Sequence, residues 1–182
     1  MFDCFVIMPI NKSETDMLWK NVYIPIIKKC GLNPRRIDKD DDGSSLHSQI
    51  LNYISNSPIV IADLTFSRPN CYYEVGYAMG QNKNQNLILC CREDHNSDSP
   101  NFKKDGFKIH FDLQTYGILW WDNNNLKEFK KGLKKKIDDR KKLIEPIPVV
   151  EVSQNKIDQK KLTQYIKEAE LELRRTEWKK RT

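Results

Sequence analysis

The chain alternates short apolar runs with longer amphipathic stretches. Residues 2–8 are almost continuously apolar and end at Pro9, the pattern of a strand buried on both faces. Residues 58–63 and 86–91 read the same way. The run 32–37 is shorter and holds Pro34, which has no N–H to give a sheet ladder, so it is placed near an edge. Two short extended pieces, 107–112 and 118–121, compete for the fifth strand. Helical periodicity fills the intervals. Over 16–30, Leu18, Val22, Ile26 and Cys30 share one face with Trp19, Tyr23 and Ile27 beside it. Gly31 is the stop, and Pro25 predicts a kink. Ser44 or Ser45 caps a second helix to Asn56, which turns Leu46, Ile50, Leu51 and Ile54 inward. A third helix covers 70–81. Asn123, Asn124 and Asn125 cap a helix reaching 143, with Leu126, Phe129, Leu133 and Ile137 as its stripe and lysines opposite. The polar stretch 92–106 is long for a plain connection and reads as a lid or an insertion.

Strands alternating with helices predict an α/β fold with a parallel sheet covered on both faces. Right-handed crossovers make a flavodoxin-like three-layer sheet of order 2-1-3-4-5 the leading topology. Its switch point lies between strands 1 and 3. The expected ligand crevice is bounded by Met8, Pro9 and Ile10 on one side and by residues 63–65 on the other. One domain is expected over 1–144, then a linker over 145–155 with two prolines. An amphipathic C-terminal helix is expected over 156–182. Its stripe of Leu162, Tyr165, Ile166, Ala169 and Leu173 is suited to the domain or to a second subunit.

Composition narrows the class. No apolar run approaches the ~20 residues of a membrane span, and the N-terminus lacks a signal peptide's basic start and cleavage site. Five cysteines without CxxC or zinc spacing fit a reducing cytoplasm. Three scattered histidines argue against a metal site. The net charge of +6 is uneven: residues 1–124 carry −2 and residues 125–182 carry +8. A solvated lysine-rich helix face explains this better than nucleic-acid binding, since no aromatic interleaving accompanies it.

Two carboxylates stand out. Asp63 ends the third strand, and Glu74 follows on the next helix. With Asn70 as N-cap, the helix dipole would favour ionised Glu74. Such a carboxylate can attack an anomeric carbon or stabilise an oxocarbenium-like cation, although a glutamate that only complements the dipole is common. Asp63 can accept from ribose hydroxyls or orient a leaving base; capping the following turn explains it equally well. Around them, Asn70 and Arg68 are candidates for sugar and anion contacts. Tyr73 and Tyr77 flank Glu74, one to stack on a base and the other to join the core. Gly76, Ala78 and Gly80 leave room for a ligand or a close strand. Lys12 follows strand 1 in a loop without glycines, which excludes the P-loop and GxGxxG fingerprints. Lys12 is still a candidate for a phosphate or ribose contact, and an ordinary polar loop explains it at least as well. Arg36 ends strand 2, where a base or ribose contact and an edge salt bridge fit equally.

Phe5-Val-Ile-Met-Pro9, Ile61-Ala-Asp-Leu-Thr65 and Asn70-Cys-Tyr-Tyr-Glu-Val-Gly-Tyr-Ala78 resemble the nucleoside 2-deoxyribosyltransferase-like and TIR-like superfamily over residues 2–142. The resemblance implies a flavodoxin-like fold and cleavage of an N-glycosidic bond at C1′. Glu74 then matches the catalytic glutamate and Asp63 the strand-end aspartate near the substrate. The loop 65–70 lacks the aspartate-glycine element usual in the transferases. That favours NAD hydrolysis, as in TIR-like defence effectors, over transfer between deoxynucleosides. NAD is then substrate rather than cofactor, and a homo-oligomer through the C-terminal helix is the expected partner. A nucleotide-sensing or assembly module is the competing reading.

Overall fold

A computed structural model describes residues 3–39, 45–83 and 85–144. The chain divides into two units, Met1–Glu145 and Pro146–Thr182, and every described residue belongs to the first. The expected linker and C-terminal helix lie outside the described residues.

Five parallel strands form one sheet in the order β2-β1-β3-β4-β5, the expected doubly wound α/β topology. They are β1 (Asp3–Ile7), β2 (Asn33–Arg35), β3 (Ile59–Asp63), β4 (Leu87–Arg92) and β5 (Leu119–Trp121). Of the two candidates for the fifth strand, the later one pairs with β4. The earlier one enters a short helix, α5 (Phe111–Gln114), instead. Pro34 sits in β2 at the sheet edge, where its missing donor has no strand to serve.

The strand alternation sorts the core into two layers. Val6, Ile59, Ile61, Ile88 and Cys90 face one side, with the buried stripe Phe129, Leu133 and Ile137 of α6 (Leu126–Ile144). Phe5, Ile7, Val60, Ala62 and Leu89 face the other, against Ile54 of α3 (Leu46–Asn56) and Cys71, Val75 and Ala78 of α4 (Pro69–Gly80). Ser45 caps α3 by accepting from Ser48 N at 3.2 Å. Leu46, expected inward, stays exposed at the first position of α3.

The first crossover is helical throughout but not uniformly α. α1 (Ser13–Leu18) passes into a π-helical turn, Trp19–Tyr23, and then α2 (Ile24–Lys29). Pro25 explains the widening: it offers no N–H and its ring crowds the preceding turn, so Ile24 N reaches back to Trp19 O instead. The expected kink is therefore absorbed as a π turn. Gly31, at φ +75°, ends α2 as the stop read from the sequence. Leu32 N bonds Ile27 O at 3.2 Å and Gly31 N bonds Lys28 O at 2.9 Å, the hydrogen-bond pair of a left-handed helix cap.

Candidate active site

A cleft of ≈ 310 Å³ opens at the switch point between the C-terminal ends of β1 and β3. Its apolar wall comes from Ile7, Met8, Ile10 and Ile37, with Leu46 and Ile50 of α3. Its polar groups are Arg36, Arg68, Asn70 and Glu74. Cys71 also lines it, and burial pushes that thiol up to about 12, so it stays a neutral thiol.

α4 begins earlier than expected. Arg68 is the N-cap and Pro69 the first helical residue, so Asn70 lies inside the first turn and caps nothing. Glu74 moves to the second turn, beyond the reach of the dipole. Desolvation then dominates, and burial pushes the Glu74 carboxyl from 4.5 up to about 7. This reverses the expectation that the helix terminus would favour the charged form. Among the described residues, neither Glu74 nor Arg68 has a side-chain hydrogen bond or ion pair. A half-buried carboxylate without a partner is costly, and such groups concentrate at functional sites.

Asp63 does not share this cleft. It continues the alternation of Ile59 and Ile61, so its side chain enters the layer of α1, α2 and α6, while α4 covers the opposite face. There it is fully buried. Oδ2 accepts from Tyr23 Oη at 2.8 Å and from Trp121 Nε1 at 3.1 Å; Oδ1 accepts from Thr65 N at 3.0 Å. Burial raises its pKa, and these bonds pull it back down. The expected pairing of two acids over one substrate is thus not formed, although the Thr65 bond realises the turn-capping alternative.

The other candidates divide similarly. Met8, Ile10, Arg36, Arg68 and Asn70 line the cleft. Arg36 is only 2 % exposed; Asp38 and Asp16 hold its guanidinium, which lies 5.2 Å over the Trp19 ring. The salt-bridge reading therefore describes it best. Pro9 is buried, does not line the cleft, and accepts from Thr15 Oγ1 through its carbonyl at 2.7 Å. Lys12 points over the Phe66 ring at 5.8 Å and stays outside. Tyr73 is 55 % exposed, and its ring lies 5.9 Å from His47. Tyr77 is half-buried, 3.2 Å from Ser55 Oγ. Gly76 and Gly80 face open space, so their small size does not make room for a ligand.

Residues 92–106 do not line the cleft. They brace the loop that precedes α4 instead, through Arg92, Asp94 and His95. His95 does not stand out in the sequence. Its one signal is position, just past the C-terminal end of β4, on the ligand edge of the sheet.

The geometry is that of a doubly wound α/β domain whose switch-point cleft holds an acid, Glu74, unpaired among the described residues. Its fold matches the TIR domain of the Toll-related receptor TRR-2 from Hydra magnipapillata at a TM-score of 0.53 and 15% identity, over 75% of this chain and 98% of that one. A prokaryotic SEFIR domain matches at a TM-score of 0.52 and 12% identity, over 75% of this chain and 92% of that one. No protein-family model and no curated protein matches the chain. The fold is therefore TIR-like.

Proposed function

We propose that this chain cleaves the N-glycosidic bond of a nucleotide, with NAD as the leading substrate and water as the acceptor. Glu74, without a partner among the described residues in the switch-point cleft, carries this reading. A cleft of ≈ 310 Å³ lies at the small end of the about 300–1,000 Å³ usual for ligand pockets, which suits one nucleoside half of a dinucleotide. Its apolar wall accommodates a sugar edge and a planar base. Arg68, unpaired among the described residues, is suited to the phosphate, and Asn70 to a ribose hydroxyl.

Ionised Glu74 stabilises positive charge as the C1′–N bond breaks, or closes on C1′ as a covalent ester. In NAD the electron pair of that bond neutralises the pyridinium ring, so nicotinamide leaves without needing a proton. Water then adds to C1′, displacing the Glu74 carboxylate where the ester has formed, and loses its proton to the carboxylate or to solvent. Tyr73, exposed on the same helix beside Glu74, is the candidate for stacking on a base. The five free, buried thiols suit a reducing compartment, and among the described residues no helix is long and apolar enough to cross a membrane. The apolar stripe of residues 156–182 makes a second copy of the chain the expected partner.

The test is incubation of the full chain with NAD, and separately with deoxynucleosides, while free base is measured. Nicotinamide release that Glu74→Gln abolishes supports the reading. Base released only from deoxynucleosides, with exchange between bases, would instead show a deoxyribosyltransferase. Binding without release would make the chain a nucleotide sensor.

A further inference from the structure

Phe66 and Ser67 stand in the left-handed region, at φ +67° and +45°. Two successive non-glycine residues there cost roughly 1–3 kcal/mol each, so the surroundings must hold them. The hold is specific. Asp63 Oδ1 accepts Thr65 N, Thr65 Oγ1 accepts Arg92 N at 3.1 Å, and Ser67 Oγ donates to Lys108 O at 2.8 Å. At the centre, Phe66 N donates to His95 Nε2 at 3.0 Å. Arg68, Pro69 and Asn70 follow immediately and all line the cleft.

The bond from Phe66 dictates the state of the imidazole. Because Nε2 accepts, the ring is neutral and its proton lies on Nδ1, which donates to Asp94 Oδ1 at 2.6 Å. Asp94 is held in turn by Arg92, through Nε at 2.7 Å and Nη2 at 3.0 Å. His95 is 3 % exposed beneath the Phe107 ring, whose centroid lies 5.8 Å away.

We propose that His95 is a positioning residue for the cleft: its ring clamps the Phe66 amide and so sets Arg68 and the start of α4. Without an acceptor at Nε2 the amide would lose its partner. The charged groups around the ring hold it in turn. Asp94 accepts from Nδ1 within the same turn. Arg92 of β4 and Lys103 of the next loop meet Asp94, at 2.7 Å and 3.6 Å. Glu14 of α1 pairs with Arg92, Asp98 lines the same small cavity as His95, and Lys12 lies over the Phe66 ring. The clamp stands on its own geometry; its consequence for turnover rests on the N-glycosidase reading.

The experiment follows the His95 ring nitrogens by ¹⁵N NMR and the Phe66 amide by hydrogen exchange in the full chain at about pH 8. The ring is expected to carry its proton on Nδ1. His95→Phe, shown folded by circular dichroism, should lower Phe66 protection about tenfold or more, matching the loss of one net hydrogen bond. His95→Gln can still accept from Phe66 and should keep the protection. A proton on Nε2, or full protection in His95→Phe, would overturn the clamp. If the chain releases base from NAD, KM should rise in His95→Phe, and His95→Gln should keep the wild-type value. Absence of base release sinks the catalytic reading alone, because the exchange result still decides the clamp.

Discussion

Tyr23 donates its hydroxyl to Oδ2 of Asp63 at 2.8 Å, and neither residue lines the cleft. The bond ties the π turn of the first crossover to the end of β3, and Trp121 of β5 binds the same oxygen. Asp63→Ala would leave three buried donors without an acceptor and should cost about 3 kcal/mol or more in urea unfolding. Asp63→Asn keeps one acceptor oxygen and should cost less. Its kcat/KM per folded molecule should stay within about threefold of wild type, since the carboxylate sits outside the cleft. A loss of about a hundredfold or more in a folded Asp63→Asn would return Asp63 to the chemistry.

Glu74 makes stability and activity move in opposite directions with pH. Its folded pKa, about 7, is raised above the ordinary 4.5. The folded state therefore bears no penalty below pH 4.5; the penalty grows as pH rises toward 7 and is complete above it. Glu74→Gln should be neutral at pH 4 and stabilising by about 2 kcal/mol at pH 8, with partial exposure trimming the full shift. Base release should show the reverse: in wild type kcat/KM rises as pH climbs through about 7, and Glu74→Gln loses about a hundredfold or more. Thermal melts at both pH values and a pH–rate profile check the pair.

Arg68 is exposed and unpaired among the described residues, so removing it takes little from the fold. Arg68→Ala should leave the melting temperature within about 1 °C, as surface substitutions generally do. It should raise KM for a phosphorylated substrate by about tenfold while kcat changes little, the sign of a lost phosphate contact. A substrate lacking phosphate should not feel the change.

Gly76 and Gly80 lie on α4 with open space where a Cβ would stand: nothing comes within 4 Å of that point, and neither residue has a positive φ. Each Gly→Ala change should stabilise the fold by about 0.5–1 kcal/mol through helix propensity. Differential scanning calorimetry reads this directly. Destabilisation, or lost nucleotide binding, would show that space at these positions is used.

The elements were legible because their causes are local. Continuous apolar runs marked the buried strands, the interval of Leu126, Phe129 and Leu133 marked α6, and Gly31 marked a helix end. Alternation of strand and helix then left few topologies, and the observed sheet order is the expected one. Glu74 was visible as an acid following a strand end, on the ligand side of such a sheet. Three features were less visible. The start of α4 depended on whether Arg68 or Asn70 capped the helix, and that shift of two residues moved Glu74 out of the dipole's reach. Pro25 announced a disturbance without saying that a π turn would absorb it. The fifth strand was decided by pairing with β4, a partner distant in sequence.

By itself, then, the sequence determined the layers of this protein: where the first four strands lie, which helix faces are apolar, and that the ligand edge carries Asp63 and Glu74. Only the tertiary structure decided how those two acids are used. The pleat sends Asp63 with Ile61 toward Tyr23 and Trp121, where hydrogen bonds satisfy it. α4 covers the opposite face and leaves Glu74 half-buried in the cleft, without a partner among the described residues. His95 became meaningful by the same route, because its partner Phe66 comes from another loop. Local pattern sets an element's type and apolar face. Desolvation and long-range hydrogen bonds set a charged group's state, and those exist only once the elements have met.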